Sequence, residues 1–237
     1  ASGQELVQLA TDRGLILAVN QNGRWAPHLA SIRELVRAGA VGELREVHAS
    51  VAWDHSWTVG TPFDRTPHLV LFDFGIHWFD FVASMLGERS ISTVSARVSF
   101  SDDQRSKQPM VATVDMHGPG LHVSLSFNGN ELEAPKDRTR VSGTHGNILS
   151  EGPDLNQQKL IISRDGEAYD VPLSGDWFTT GFEGSMSELL GAVADSREPL
   201  NGARENLRSL ELAFAACESA NTSESVAPGQ AQSFPGD

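Results

Sequence analysis

Over the first third of the chain apolar residues recur at helical spacing, and from Ile91 onward they alternate with polar ones. Leu6, Val7, Leu9 and Ala10 form a helical stripe that Ser2 can cap and Gly14 can end. Leu15-Ile16-Leu17-Ala18-Val19 is a continuous apolar run, which predicts a strand buried on both faces, as in parallel sheets. No later segment offers it a parallel neighbour, so the chain is expected to open inside a domain whose remainder is missing. Residues 27–38 predict an amphipathic helix through Leu29, Ile32, Leu35 and Val36, with Pro27 in its first turn. A strand over 44–53, a polar and aromatic loop over 54–67 and a helix over 73–86 follow.

Beyond this helix the period is two. Strands are predicted at 92–100, 110–116, 121–127, 138–142, 159–163 and 167–171. Between them lie the turn signals Gly118-Pro119-Gly120, Asn128-Gly129-Asn130 and Asp165-Gly166, the last being the best hairpin signal. Helices at 178–193 and 203–220 end the ordered pattern, and 223–237 is expected to fray. The fold class is α+β: a large, mostly antiparallel open sheet with helices packed on one face. Three segments are expected: an opening helix and strand (1–21), a main domain (22–222) and a flexible tail (223–237).

Charge narrows the partners. A net charge of −13, with three lysines and scattered arginines, opposes binding to nucleic acid or an anionic membrane surface. No run of about 18 apolar residues is present to span a bilayer, and the first residues lack the pattern of a signal peptide. A cytoplasmic location is the resulting expectation. The single cysteine, Cys217, excludes an internal disulfide and sits in an apolar helical pattern that suits a buried structural thiol.

The chemistry concentrates in Asp73-Phe74-Gly75-Ile76-His77-Trp78-Phe79-Asp80. The i, i+4 and i+7 spacing places two carboxylates and an imidazole on one side of a helix. Ionisable groups in so apolar a segment have disturbed proton affinities, as acid–base chemistry requires. Asp73 can cap the helix and accept a hydrogen bond from His77. Gly75 leaves room for a ligand or a neighbouring strand. Asp80 suits a structural task better than a catalytic one. The same three groups could ligate a metal, but there is no second histidine pair of ligand spacing and no His-Glu-x-x-His run, so no metal is expected.

Asn20, Gln21 and Arg24 follow the apolar run at its carboxyl end, where α/β sheets place ligands; they serve equally as a loop that satisfies backbone groups. Asp54, His55, Trp57 and His68 could line a polar, sugar-sized pocket with an aromatic platform, or be ordinary loop residues. No Gly-x-Gly-x-x-Gly or Gly-Lys-Ser/Thr phosphate loop occurs.

These residues, taken in order, resemble the glucose–fructose oxidoreductase / inositol dehydrogenase / rhizopine-catabolism family of NAD(P)-dependent oxidoreductases. The resemblance rests on Asp73-x-Gly75-x-His77-x-x-Asp80, Val19-Asn20-Gln21-x-x-Arg24-x-x-Pro27 and Gly39-Ala40-Val41-Gly42-Glu43. Gly143-Thr144-x-Gly146-Asn147-Ile148 and Phe182-Glu183-Gly184-Ser185-Met186 with Glu198-Pro199 complete it. It implies that residues 1–21 are the last helix and strand of a Rossmann domain, followed by a dihydrodipicolinate-reductase-like substrate and oligomerisation domain. His77 matches the family's acid–base histidine, Asp73 the carboxylate that orients it, and Arg24 a position near nicotinamide and substrate, with Asn20 and Gln21 on the cofactor side. NAD or NADP is implied for the whole protein, with none bound by this chain alone, since the glycine fingerprint and the family's lysine are absent. The implied substrate is a sugar, polyol or related hydroxy compound, and the implied assembly a homo-oligomer through the open sheet. The rival readings are a non-catalytic binding or oligomerisation protein and, further off, a metal-dependent hydrolase.

Overall fold

The structure, a computed structural model, describes residues 2–231. Eight strands form one sheet in the order β2-β3-β4-β1-β5-β6-β7-β8. They are β1 (Leu44–Ala52), β2 (Thr93–Ser99), β3 (Val111–Gly118), β4 (Leu121–Asn128), β5 (Lys136–Gly143), β6 (Gly146–Gly152), β7 (Lys159–Arg164) and β8 (Glu167–Val171). Every pairing is antiparallel except that of β1 with β4. The predicted α+β class with a mostly antiparallel open sheet is what the chain adopts.

Alternation explains which face is covered. Val47, Ala49 and Val51 of β1, Val123, Leu125 and Phe127 of β4, and Val114 and Met116 of β3 are buried on one side. Against them pack α3 (Ile76–Met85) and α5 (Ala203–Thr222), with α2 (Pro27–Arg37) beside α3. Cys217 on α5 is fully buried, and burial pushes its thiol up to about 12, as suits a structural residue. The opposite face carries the intervening polar side chains, among them Glu46, His48 and His122.

Two of the quoted glycine motifs explain each other. Gly42 has φ +73°, and a Cβ there would meet the Thr144 and His145 side chains at 2.2 and 2.3 Å. A Cβ on Gly143 would lie 2.3 Å from the Val41 carbonyl. The turn before β1 and the turn after β5 therefore interlock through missing side chains. At the Asp165-Gly166 hairpin both residues take positive φ (55° and 83°), the paired left-handed turn that the sequence predicts.

Three elements differ from expectation. Residues 15–19 do not form a strand buried on both faces: Leu15 is 63% exposed and Leu17 38%. They hold a single bridge, Ala18 to Gly202, because no second strand lies alongside them among the described residues. β6 is a full strand where the sequence suggests only a motif. Past α5 the chain does not fray at once, since Val226 is buried and pairs with Val94; the rest of the expected tail, from 232 on, lies outside the described residues. Opening helix α1 (Ser2–Asp12) and penultimate helix α4 (Thr179–Ala194) are as expected to within a residue or two.

Candidate active site

A cleft of about 610 Å³ opens where the chain leaves β1 and enters α3. Its walls are mainly aromatic: Trp53, Trp57, Phe74, Trp78, Trp177 and Phe178. Trp78 stacks on Trp177 (centroids 5.8 Å, 21°) and meets Trp53 edge-on at 5.9 Å. The polar groups among them are His55, Asp73, His77, Asp154 and Asn156. Such a lining, apolar with a few polar groups, is typical of small-molecule sites of this size.

His77 stands at the start of α3 and meets Trp177 edge-on at 5.4 Å. Its Nδ1 is buried without a hydrogen-bond partner, as are the indole nitrogens of Trp53 and Trp78. Burial lowers its pKa, opposed by the charge of Asp80, so the ring is neutral at pH 7 and able to accept a proton. The Gly23 backbone comes close, and a Cβ there would sit 3.3 Å from His77 Nδ1 and 3.2 Å from the Trp177 ring. This brings the Asn20–Arg24 loop to the back of the imidazole.

Asp73 also lines the cleft, and burial raises its pKa. It does not act as the expected cap, and no hydrogen bond joins it to His77 among the described residues. The cause is a widened turn: residues 70–74 are π-helical, with the Gly75 N–H bonded to the Val70 carbonyl at 3.0 Å, and α3 starts only after Gly75. One π turn displaces the i, i+4 stacking that a regular helix would impose. The bare side of Gly75 faces neither a ligand nor a strand but its own preceding turn, where a Cβ would lie 2.4 Å from the Leu71 carbonyl.

Arg24 is not in the cleft. It is buried (6% exposed) and forks onto Asp80, Nε to Oδ2 at 2.7 Å and Nη2 to Oδ1 at 2.8 Å, with Nη1 donating to the Leu200 carbonyl. Ser209 Oγ and Asn206 Nδ2 complete the shell of Asp80, which has the structural task expected of it. Asp80 turned to Arg24 also dissolves the possible metal set with Asp73 and His77. Gln21 is buried and Asn20 exposed, both outside the cleft lining.

The loop after β1 divides. His55 lines the cleft, stacks on Phe74 (3.8 Å, 19°) and accepts a 3.3 Å hydrogen bond from Trp57 Nε1 at its Nδ1. Burial brings its pKa down to about 4, opposed by Asp54, so it is neutral. Trp57 lines the cleft rim and is 55% exposed. Asp54 points to solvent, where its Oδ1 accepts the Ser56 N–H at 2.7 Å, and that bond lowers its pKa. His68 is tied to Asn221 of α5 at 2.7 Å and lies outside the lining.

One wall has no precursor in the sequence reading. Pro153, Asp154, Leu155 and Asn156 come from the β6–β7 connection, and Trp177 and Phe178 from the entry to α4. Asn156 Oδ1 accepts the Trp177 N–H at 2.8 Å and joins the two loops. The only advance signal is composition: an isolated tryptophan among turn residues.

Fold and cleft define an α+β domain with a neutral histidine set in an aromatic small-molecule pocket. The sequence profile of the GFO/IDH/MocA C-terminal domain matches residues 29–149, and the chain belongs to that family. It is 23% identical over 223 residues to inositol 2-dehydrogenase of Rhizobium meliloti (strain 1021), covering 90% of this chain and 65% of the relative. D-apiose dehydrogenase of Paraburkholderia graminis is 22% identical over 241 residues, 95% of this chain and 63% of the relative. The chain thus spans less than two thirds of the length of these two curated relatives. Among solved structures, an oxidoreductase from Agrobacterium radiobacter in complex with NAD+, L-tartaric acid and magnesium superposes with a TM-score of 0.82 at 20% identity. That match covers 96% of this chain and 69% of the other. An inositol dehydrogenase homolog from Azotobacter vinelandii, complexed with NADH and myo-inositol, gives 0.74 at 16% identity, over 95% and 68%. No helix among the described residues is long and apolar enough to cross a membrane.

Proposed function

We propose that this domain forms the substrate side of the active site of an NAD(P)-dependent dehydrogenase acting on a sugar, polyol or related hydroxy compound. The observation that carries the reading is His77, neutral and half-enclosed in a cleft walled by aromatic rings. Ring faces accept the C–H faces of a sugar, while the few polar groups select its hydroxyls. With Nδ1 shut away behind Gly23, Nε2 is the nitrogen left to take the proton of a substrate hydroxyl. Asp73 adds a second proton acceptor at the cleft wall.

Residues 15–19 hold one bridge, no glycine-rich turn leads from them into a helix, and the Arg24 guanidinium faces inward. We assign the coenzyme to a nucleotide-binding region of the whole protein, since the relatives are longer than this chain. We assign its seat to the apolar surface along α4, where Phe182, Met186, Leu190 and Val193 are 44–65% exposed, together with Leu15 and Leu17. Asn201 Nδ2 bonds both the Val19 carbonyl and Ser185 Oγ of α4, which ties the end of the 15–19 run to that helix. The open sheet face is assigned to contacts between copies of the protein.

Tryptophan fluorescence tests the substrate half. Titration with myo-inositol, aldoses and their oxidised acids should give saturable quenching for at least one class, weakened at least tenfold by Trp177→Ala. No response to any of them, from a folded protein, overturns the reading. That outcome would favour a non-catalytic descendant of the family, towards which the missing Asp73–His77 bond points.

A further inference from the structure

The sheet face away from the helices carries a donor cluster unconnected with the cleft. Glu46 and His48 stand two residues apart on β1 and so project from the same face, and Glu46 is paired across the parallel ladder with His122 of β4. One donor atom from each of Glu46, His48 and His122 lies within 4.8 Å of the others. Glu46 Oε1 already sits 2.9 Å from His48 Nε2, and the two imidazoles meet edge to face with centroids 5.8 Å apart. In the single chain the three side chains are 36–43% exposed, so an ion bound there would lie on the face assigned above to contacts between copies.

We propose that Glu46, His48 and His122 form a binding site for one divalent transition-metal ion of the zinc class. Two imidazoles and a carboxylate are the donor set that such ions prefer, and Mg²⁺ or Ca²⁺ would want more oxygens. Metal–ligand bonds of about 2.0–2.1 Å require donors about 3.3 Å apart in tetrahedral geometry. The observed spacing reaches that with small side-chain rotations. The surroundings hold the donors in place. Glu46 divides its oxygens, Oε1 to His48 and Oε2 towards Arg140 Nη1 at 3.9 Å. Asp115 Oδ1 lies 3.3 Å from His122 Nε2, and His117 stacks on the His122 ring at 4.8 Å and 14°. A carboxylate behind a ligating imidazole is a recurrent orienting device. Three protein donors leave a coordination position for water or an exogenous ligand.

Isothermal titration of the metal-stripped full chain with Zn²⁺, in excess Mg²⁺, should show one equivalent bound. Co²⁺ in its place should develop the visible absorption bands of a low-symmetry site. His48→Gln and His122→Gln should each weaken binding at least tenfold and remove the Co²⁺ bands, with the far-UV spectrum unchanged. His145→Ala, at an exposed histidine elsewhere, should change neither. The proposal is overturned if the wild-type chain binds no Zn²⁺, if Mg²⁺ displaces it, or if the double glutamine variant keeps the wild-type stoichiometry and affinity.

Discussion

Arg24 and Asp80 face each other as a two-point ion pair in the core, guanidinium against carboxylate, 56 residues apart in sequence. Asp80 is 1% exposed and also accepts from Ser209 and Asn206. Removing one charge strands the other without water, which costs about 3–5 kcal/mol for pairs of this kind. Arg24→Ala should lose stability of that order in urea titrations. Arg24→Lys should recover little, because an ammonium cannot make the fork. Ligand quenching of the folded protein should be unchanged, since the guanidinium does not reach the cleft; a stable Arg24→Ala protein with lost binding would return Arg24 to the site.

His28 and Asp137 form a second buried pair, His28 Nε2 to Asp137 Oδ2 at 3.8 Å, too far for a hydrogen bond. Burial lowers His28 to about 3; burial and then the charge of Asp154 raise Asp137 to about 7. Between the ordinary values of 3.8 and 6.5 the unfolded pair holds one proton, on the histidine. The folded pair also holds one, on whichever partner, so the pair itself should add no slope to stability across that window. Asp137→Asn leaves the depressed histidine alone, and stability should fall as pH drops from 6.5 towards 3. His28→Gln leaves the raised carboxyl, and stability should fall as pH climbs from 3.8 to about 7. Each slope approaches about 1.4 kcal/mol per pH unit within its window. Denaturant midpoints across pH 4–7 check both as differences from the wild-type profile, to which buried His55 adds its own slope; a variant profile parallel to the wild type's would contradict the pairing.

In the dehydrogenase proposed above, His77→Ala should reduce turnover about 10²–10⁴-fold, the usual contribution of a general base. Because burial depresses its pKa, the acid limb of kcat/KM should fall below pH 6.5. Asp73→Asn should shift that limb far less than a directly bonded carboxylate would, since no hydrogen bond links the two. Steady-state rates from pH 5 to 9 decide this.

Backbone exchange should separate the two ends of the apolar run. The Ile16 and Leu17 N–H groups have no acceptor among the described residues, whereas Val19 N–H donates to the Asn201 carbonyl at 2.9 Å. In the chain as given, hydrogen exchange should be fast at Ile16 and Leu17 and slowed at Val19. Strong protection of all three in a monomer would count against the exposed arrangement.

Most of the sheet could be read from the residues because one face of every strand but β8 carries buried residues, and burial writes a period of two. β6 escaped because Gly146, Asn147, Ser150 and Gly152 dilute that period; the strand forms because β5 and β7 flank it, an effect of neighbours rather than propensity. The run 15–19 misled for the converse reason, having strand composition without flanking strands. In the cleft, His77, Asp73, His55 and Trp57 were visible as chemistry in an apolar segment or an aromatic loop. Arg24 was misplaced because a charged residue near a strand end looks the same whether it meets a ligand or a buried aspartate. The Asn156–Trp177 wall joins loops about 20 residues apart through one hydrogen bond, and no local pattern encodes that meeting.

The lone parallel pairing, β1 against β4, sets how the molecule must assemble. Strands β2 to β4 and β5 to β8 are each meanders whose partners are close in sequence, so either can zip from its own hairpins. Their union waits for a crossover of about seventy residues to close between Ala52 and Leu121. That crossover carries α3 and His77, so the place of the cleft histidine hangs on one of the longest-range pairings in the sheet.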